Sequence, residues 1–108
     1  MSLLRTELAR KQEEHAAHPI CYRLYTEDKA NVPILVATLF RDATVLFHAV
    51  GLWKGETELS RVIEILGTRA DLPKVRELAE LIRQANHQAA VYLTHAVVEL
   101  ESIEGRTL

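Results

Sequence analysis

Residues 44–66 read TVLFHAVGLWKGETELSRVIEIL, two apolar, β-prone runs with Gly51, Trp53, Lys54, Gly55, Glu56 and Glu58 between them. In the first run Val45, Phe47 and Ala49 alternate with Leu46, His48 and Val50, the period-two rhythm of a strand with one buried face. Residues 59–66 repeat the rhythm. Two glycines and a cluster of charges separate the runs, so the stretch is predicted to be a β-hairpin with WKGETE at its tip.

The pattern changes on either side of the hairpin. On its N-terminal side, Asn31 followed by Val32 and Pro33 has the form of a helix start, because Asn caps well and Pro suits the first turn. Val32, Val36, Leu39 and Phe40 then share one helical face, with Leu35 at its margin. Before that helix, residues 20–26 (ICYRLYT) alternate as a strand that turns Ile20, Tyr22 and Leu24 one way and Cys21, Arg23 and Tyr25 the other. Beyond the hairpin, Asp71 with Pro73 repeats the helix-start pattern. Val75, Leu78, Ala79, Ile82 and Ala85 recur at helical spacing as far as about Asn86. Residues 90–100 (AVYLTHAVVEL) contain no breaker and predict a long final strand.

The order is therefore strand, helix, strand, strand, helix, strand. This predicts an α+β, ferredoxin-like βαββαβ domain, a four-stranded antiparallel sheet with two helices on one face. Residues 1–18 form an N-terminal extension in which Leu4 and Leu8, one turn apart among mixed charges, predict a short amphipathic helix. The domain proper occupies 19–104, and 105–108 are a tail.

With 108 residues, of which 48% are hydrophobic, the chain suffices for one domain with its own core. A net charge of −2 without blocks of one sign excludes the basic footprint of a nucleic-acid binder. Cys21 stands alone, which rules out an intramolecular disulfide and a cysteine metal cluster and suits a reducing compartment. The N-terminus lacks a signal peptide's apolar core, and no apolar run approaches the roughly 20 residues of a membrane span. A cytoplasmic protein is expected, with no membrane or nucleic-acid partner.

The second face of the sheet would hold Cys21, Arg23, Tyr25, His48, His95 and Glu99 among Leu, Val and Ile residues. Such a mixed face is too apolar to stay wholly in water, and pairing of copies would cover it together with the open edges. The expectation is a homo-oligomer, a trimer or a dimer.

The element order, the tip WKGE with Glu58 beyond it, and the following VIEILGTRADLPKVRELAELIR resemble the middle of the trimeric PII and CutA-type proteins. The CutA type is linked to divalent-cation tolerance and carries a histidine-proline-tyrosine segment, where this chain has Asn86, His87, Gln88 and Ala89. No metal role is carried over, nor is the PII nucleotide-binding loop. The segments YTEDK and GLWKGETELS together are similar to an uncharacterised group of small bacterial and mobile-element proteins. That resemblance implies the fold and no activity.

Eight residues are candidates for binding. Trp53 could stack on a planar ligand while Lys54 takes an anionic group, or it could cap the hairpin against a neighbouring subunit. Glu27 and Asp28, with Lys29, sit where a strand gives way to a helix, a place where carboxylates either bind or simply cap and solvate. Glu64 interrupts an apolar strand and needs a partner such as Arg23, His48 or His95, as a structural ion pair or as a proton-handling group. His48 and His95, on different strands, would with Glu64 suit acid–base work or a divalent metal if all three faced the same side. Tyr25 lies near the hairpin tip in this scheme. His15 and His18 are too few ligands for a metal site. No catalytic triad, zinc signature or phosphate loop is present, and the residues name no cofactor.

These readings favour a non-catalytic, oligomeric binding or regulatory module, with a site for a small molecule or protein partner at a subunit junction near Trp53, Lys54 and Tyr25. The alternative is a small dimeric α+β-barrel enzyme in which a sheet-face histidine acts on a small, possibly aromatic, substrate. A cavity holding His48 or His95 would favour the enzyme.

Overall fold

A computed structural model describes residues 19–105, apart from the side chain of Trp53. The expected N-terminal helix lies outside the described residues. Four strands, β1 (Ile20–Glu27), β2 (Thr44–Trp53), β3 (Glu56–Gly67) and β4 (Tyr92–Val97), alternate with two helices, α1 (Val32–Leu39) and α2 (Leu72–Ala85). All strand pairs are antiparallel and the sheet runs β2-β3-β1-β4, so β1 and β3 are central. Both helices pack on one face, giving an α+β architecture.

The core follows from the period-two pattern of the central strands. Ile20, Tyr22 and Leu24 of β1 and Ile63 and Ile65 of β3 meet Val32 and Val36 of α1 and Val75, Leu78 and Ile82 of α2, all buried. Each such side chain contributes about 1.5–3 kcal/mol by leaving water. The helical faces read from the sequence are those found. The start of α1 differs: Asn31 makes no side-chain cap and instead donates from Nδ2 to Asn86 Oδ1 at 2.9 Å, which ties the start of α1 to the end of α2. A short 3-10 turn, Arg69–Asp71, precedes α2. There the Asp71 carboxylate accepts the Thr68 N–H at 2.8 Å, while the buried Tyr22 hydroxyl donates to the Thr68 carbonyl at 2.5 Å.

The hairpin is longer and its turn tighter than the sequence suggested. Trp53 pairs with Glu56, leaving a two-residue turn of Lys54 (φ 50°) and Gly55 (φ 81°), the paired positive φ values of a type I′ turn. The alternation in β2 is also broken. Leu46 faces Val62 and Ala49 faces Ser60, so Phe47 and His48 together oppose Arg61 in a β-bulge with His48 at φ 60°. Val45 and Ala49, which simple alternation would place together, therefore point to opposite faces.

Because Glu27, the last residue of β1, is opposite Ser60, residues 50–59 run past the body as a two-stranded arm. The radius of gyration is 17.2 Å, against about 13 Å for a compact chain near this length. β4 is shorter than the predicted run of residues 90–100. Its last pair is Val97 with Ile20, and after Val98 donates to the Pro19 carbonyl β1 offers no further partner.

Candidate functional site

Strand register fixes which side chains share the face without helices. β1 contributes Cys21, Arg23, Tyr25 and Glu27, and β3 contributes Ser60, Val62, Glu64 and Leu66. Thr94 and Tyr92 of β4 lie beside Arg23 and Tyr25, and Leu46, Ala49 and Gly51 of β2 lie beside Val62, Ser60 and Glu58. At one end of this face is a half-open cleft of about 710 Å³, bounded by Tyr25, Tyr92 and residues 88–90 on one side and by the arm on the other. Its volume lies within the usual range of small-molecule sites.

The cleft has local causes. Its floor is made of small residues, Ala49, Gly51 and Ser60, where larger ones would fill the space. A Cβ on Gly51 would stand 2.9 Å from Ser60 Oγ. The bulge at Phe47 and His48 lies just before these residues and shifts Ala49 and Gly51 onto the open face. The opposite wall is set by the end of α2. Gln88 N–H donates to the Arg83 carbonyl at 3.0 Å and His87 N–H to that of Gln84 at 3.3 Å, with His87 at φ 51°, a Schellman motif. That turn delivers the buried Gln88 to the buried Thr26. Its Nε2 donates to Thr26 Oγ1 at 2.7 Å, while its Oε1 lies 3.0 Å from the same hydroxyl and 3.4 Å from the Glu27 amide that donates to it.

The sequence-derived candidates are divided by this geometry. Tyr25 and Glu27 line the cleft, directly beside Tyr92 and Ser60 respectively. Lys29 Nζ lies 3.7 Å from Glu27 Oε2, with both side chains about half exposed. Asp28 does not join them, because its carboxylate accepts from Arg61 Nε at 2.5 Å, and the Arg61 guanidinium lies 4.3 Å over the Phe47 ring. Lys54 is exposed in the turn. The Trp53 backbone pairs at the end of β2, and the proposed stacking by its ring lies outside the described structure.

Glu64 does find one of its expected partners. It faces Arg23 across the open sheet face and accepts from Arg23 Nε at 3.0 Å, a half-exposed pair rather than a buried one. The hydrogen bond to Glu64, followed by that carboxylate's charge, raises the Arg23 pKa further. The proposed triad does not assemble. His95 pairs with Tyr22 on the helix side, its ring 5.9 Å from the Tyr22 ring, whereas Glu64 is on the open side. His48 and His95 lie on opposite edges of the sheet with β3 and β1 between them, a separation of roughly 14 Å at the usual strand spacing. Among the described residues, no three His, Cys, Asp or Glu side chains are grouped to hold a metal, and no helix is long and apolar enough to cross a membrane.

The cleft residues not made candidates in the sequence include Tyr92, Glu58, Thr26 and Gln88. Tyr92 alternates correctly within a predicted extended segment, so the register could have found it once β1 was aligned with its neighbour, whereas Glu58 fell in the predicted hairpin tip and belongs to β3 because the turn is only two residues long. Gln88 follows a helix without any local signal of its role. No family model matches the chain, and no curated protein is similar to it.

Proposed function

We propose that the chain is a ferredoxin-like, non-catalytic binding module that works as a cytoplasmic homo-oligomer and holds a small molecule in the cleft between Tyr25, Tyr92 and the hairpin arm. The element order and the strand order β2-β3-β1-β4, with both helices on one face, support the ferredoxin-like assignment. The observation that carries the binding reading is the cleft itself, about 710 Å³ at the base of the hairpin and floored by small residues, with a pair of tyrosines on one wall. Self-association is supported by Leu46, Val50, Leu52, Leu59 and Leu66, which are between 48% and 75% exposed on the sheet and arm. A dimer or a trimer would cover them.

Neither His48 nor His95 lines the cleft, which favours a module over the barrel enzyme. Carboxylates at the cleft, Glu27 and Glu58, oppose a phosphate backbone and so favour a small molecule or protein over nucleic acid. The reading is tested by light scattering and a metabolite titration on the full chain. A dimer or trimer at high micromolar concentration, with saturable amide shifts at Tyr25, Ser60 and Tyr92, is expected. A strict monomer at that concentration would remove the oligomer, and shifts confined to other residues would remove the site.

A further inference from the structure

We infer that, if the binding reading above holds, the ligand of the cleft is a small organic cation with a planar or aromatic apolar body. Three features of the cleft lead to this class.

The first is charge. Among the described residues of the lining, Glu27 and Glu58 are the charged ones and there is no Lys, Arg or His. Glu27 shares its charge with the half-exposed Lys29, whereas among the described residues no ion pair involves Glu58. Arg23, the nearest cation along β1, is engaged by Glu64 and lies outside the lining. Lys29 and Arg23 border the cleft through Glu27 and Tyr25, but the described lining itself offers an anion two carboxylates and a cation the same two, Glu27 on β1 opposite Ser60 and Glu58 two residues along β3.

The second is aromatic surface. Tyr25 and Tyr92 are direct cross-strand partners on the same face, and both line the same wall of the cleft. Tyrosine faces attract ammonium groups and planar apolar bodies alike, and such rings are the usual walls of sites for organic cations. The third is the shape of the floor. Ala49, Gly51 and Ser60 leave a shallow, mostly apolar bed between the rings and the arm, with the Ser60 and Thr94 hydroxyls available to an N–H donor. Buried Thr26 and Gln88 hold one end of this bed fixed.

The test compares phenethylammonium, phenethyl alcohol and hydrocinnamate, which share a phenyl body and differ in charge, by amide NMR titration of the full chain at neutral pH. The expected result is binding at Tyr25, Gly51, Ser60 and Tyr92, with the cation about tenfold tighter than the alcohol and hydrocinnamate weakest. Glu58→Gln should narrow the gap between the cation and alcohol affinities, and the Glu27→Gln, Glu58→Gln double variant should close it. Equal or tighter binding of the alcohol or hydrocinnamate in the wild-type chain would overturn the cation preference and leave the cleft as a ligand site. A preference that survives in the Glu27→Gln, Glu58→Gln double variant would overturn it too. Silence of all three probes at millimolar concentration would overturn both this inference and the binding reading.

Discussion

Tyr22 joins three parts of the fold through one side chain. Its ring is buried under the helices beside His95, and its hydroxyl donates to the carbonyl of Thr68, whose amide is in turn capped by Asp71. Burial, reinforced by the Asp71 carboxylate and partly offset by Arg69, raises the Tyr22 pKa above 10.0. The folded state thus holds this proton more tightly than the unfolded chain. Its contribution is complete below about pH 10 and is lost as the pH rises through the raised value. Tyr22→Phe should cost about 1 kcal/mol in urea unfolding at neutral pH, since the Thr68 carbonyl loses its donor, and should flatten the decline in stability above pH 10. An unchanged alkaline decline in the variant would assign that decline to other groups. At this scale the sequence was readable where alternation has a strong apolar side, as in β1, whose outward Arg23 was one of three partners named for Glu64. It was not readable in β4. Tyr92, Thr94 and Ala96 on one side and Leu93, His95 and Val97 on the other are equally mixed, so only pairing with Tyr22 shows that His95 faces the helices.

Two turns carry positive φ at residues other than glycine, and each sets one wall of the cleft. Lys54 opens the type I′ turn at φ 50°, and His87 closes α2 at φ 51°. Side chains with a Cβ pay for the left-handed region, Asn least and Gly not at all. Lys54→Asn and His87→Gly should therefore each stabilise the protein by a few tenths to about 1 kcal/mol in urea unfolding, without moving the wall residues. Destabilisation by either would mean that the lost side chain makes contacts worth more than the strain. Both helices and the hairpin were legible because Asn-Val-Pro, Asp-Leu-Pro and the glycines mark their ends. The bulge was not, since Phe47 and His48 continue the composition of a regular strand while the backbone gains a residue relative to Arg61. The length of β4 was also hidden, because it is fixed by where β1 begins and not by any breaker in residues 90–100.

At the scale of the molecule the arm is the outlying part. Residues 50–59 are held by one partner strand and little else, with Val50, Leu52 and Leu59 exposed, and isolated two-stranded hairpins are marginal in water. Amides in the arm should exchange with solvent orders of magnitude faster than those of Leu24 and Ile63 when the protein is dilute. If copies associate through this region, protection in residues 50–59 should rise with protein concentration while that of the central strands stays constant. Protection independent of concentration would mean that the arm is stable alone. Composition pointed to a chain able to build a core, which is present, and the open face was expected to be too apolar for water. The cleft was not, because it arises where bulge, helix end and small floor residues meet from three distant parts of the chain.

The outer strand β2 raises a separate matter. From Thr44 to Trp53 it bears neither a charge nor a proline, and among the described residues no strand pairs with its outward backbone groups. A row of this kind is a template for fibril growth, and most proteins guard theirs with lysines or prolines. Here the guard is a kink: His48 at φ 60° interrupts the straight run that stacking chains would copy. The residue first considered for proton chemistry would on this view serve solubility, by keeping the chain from polymerising along its own edge.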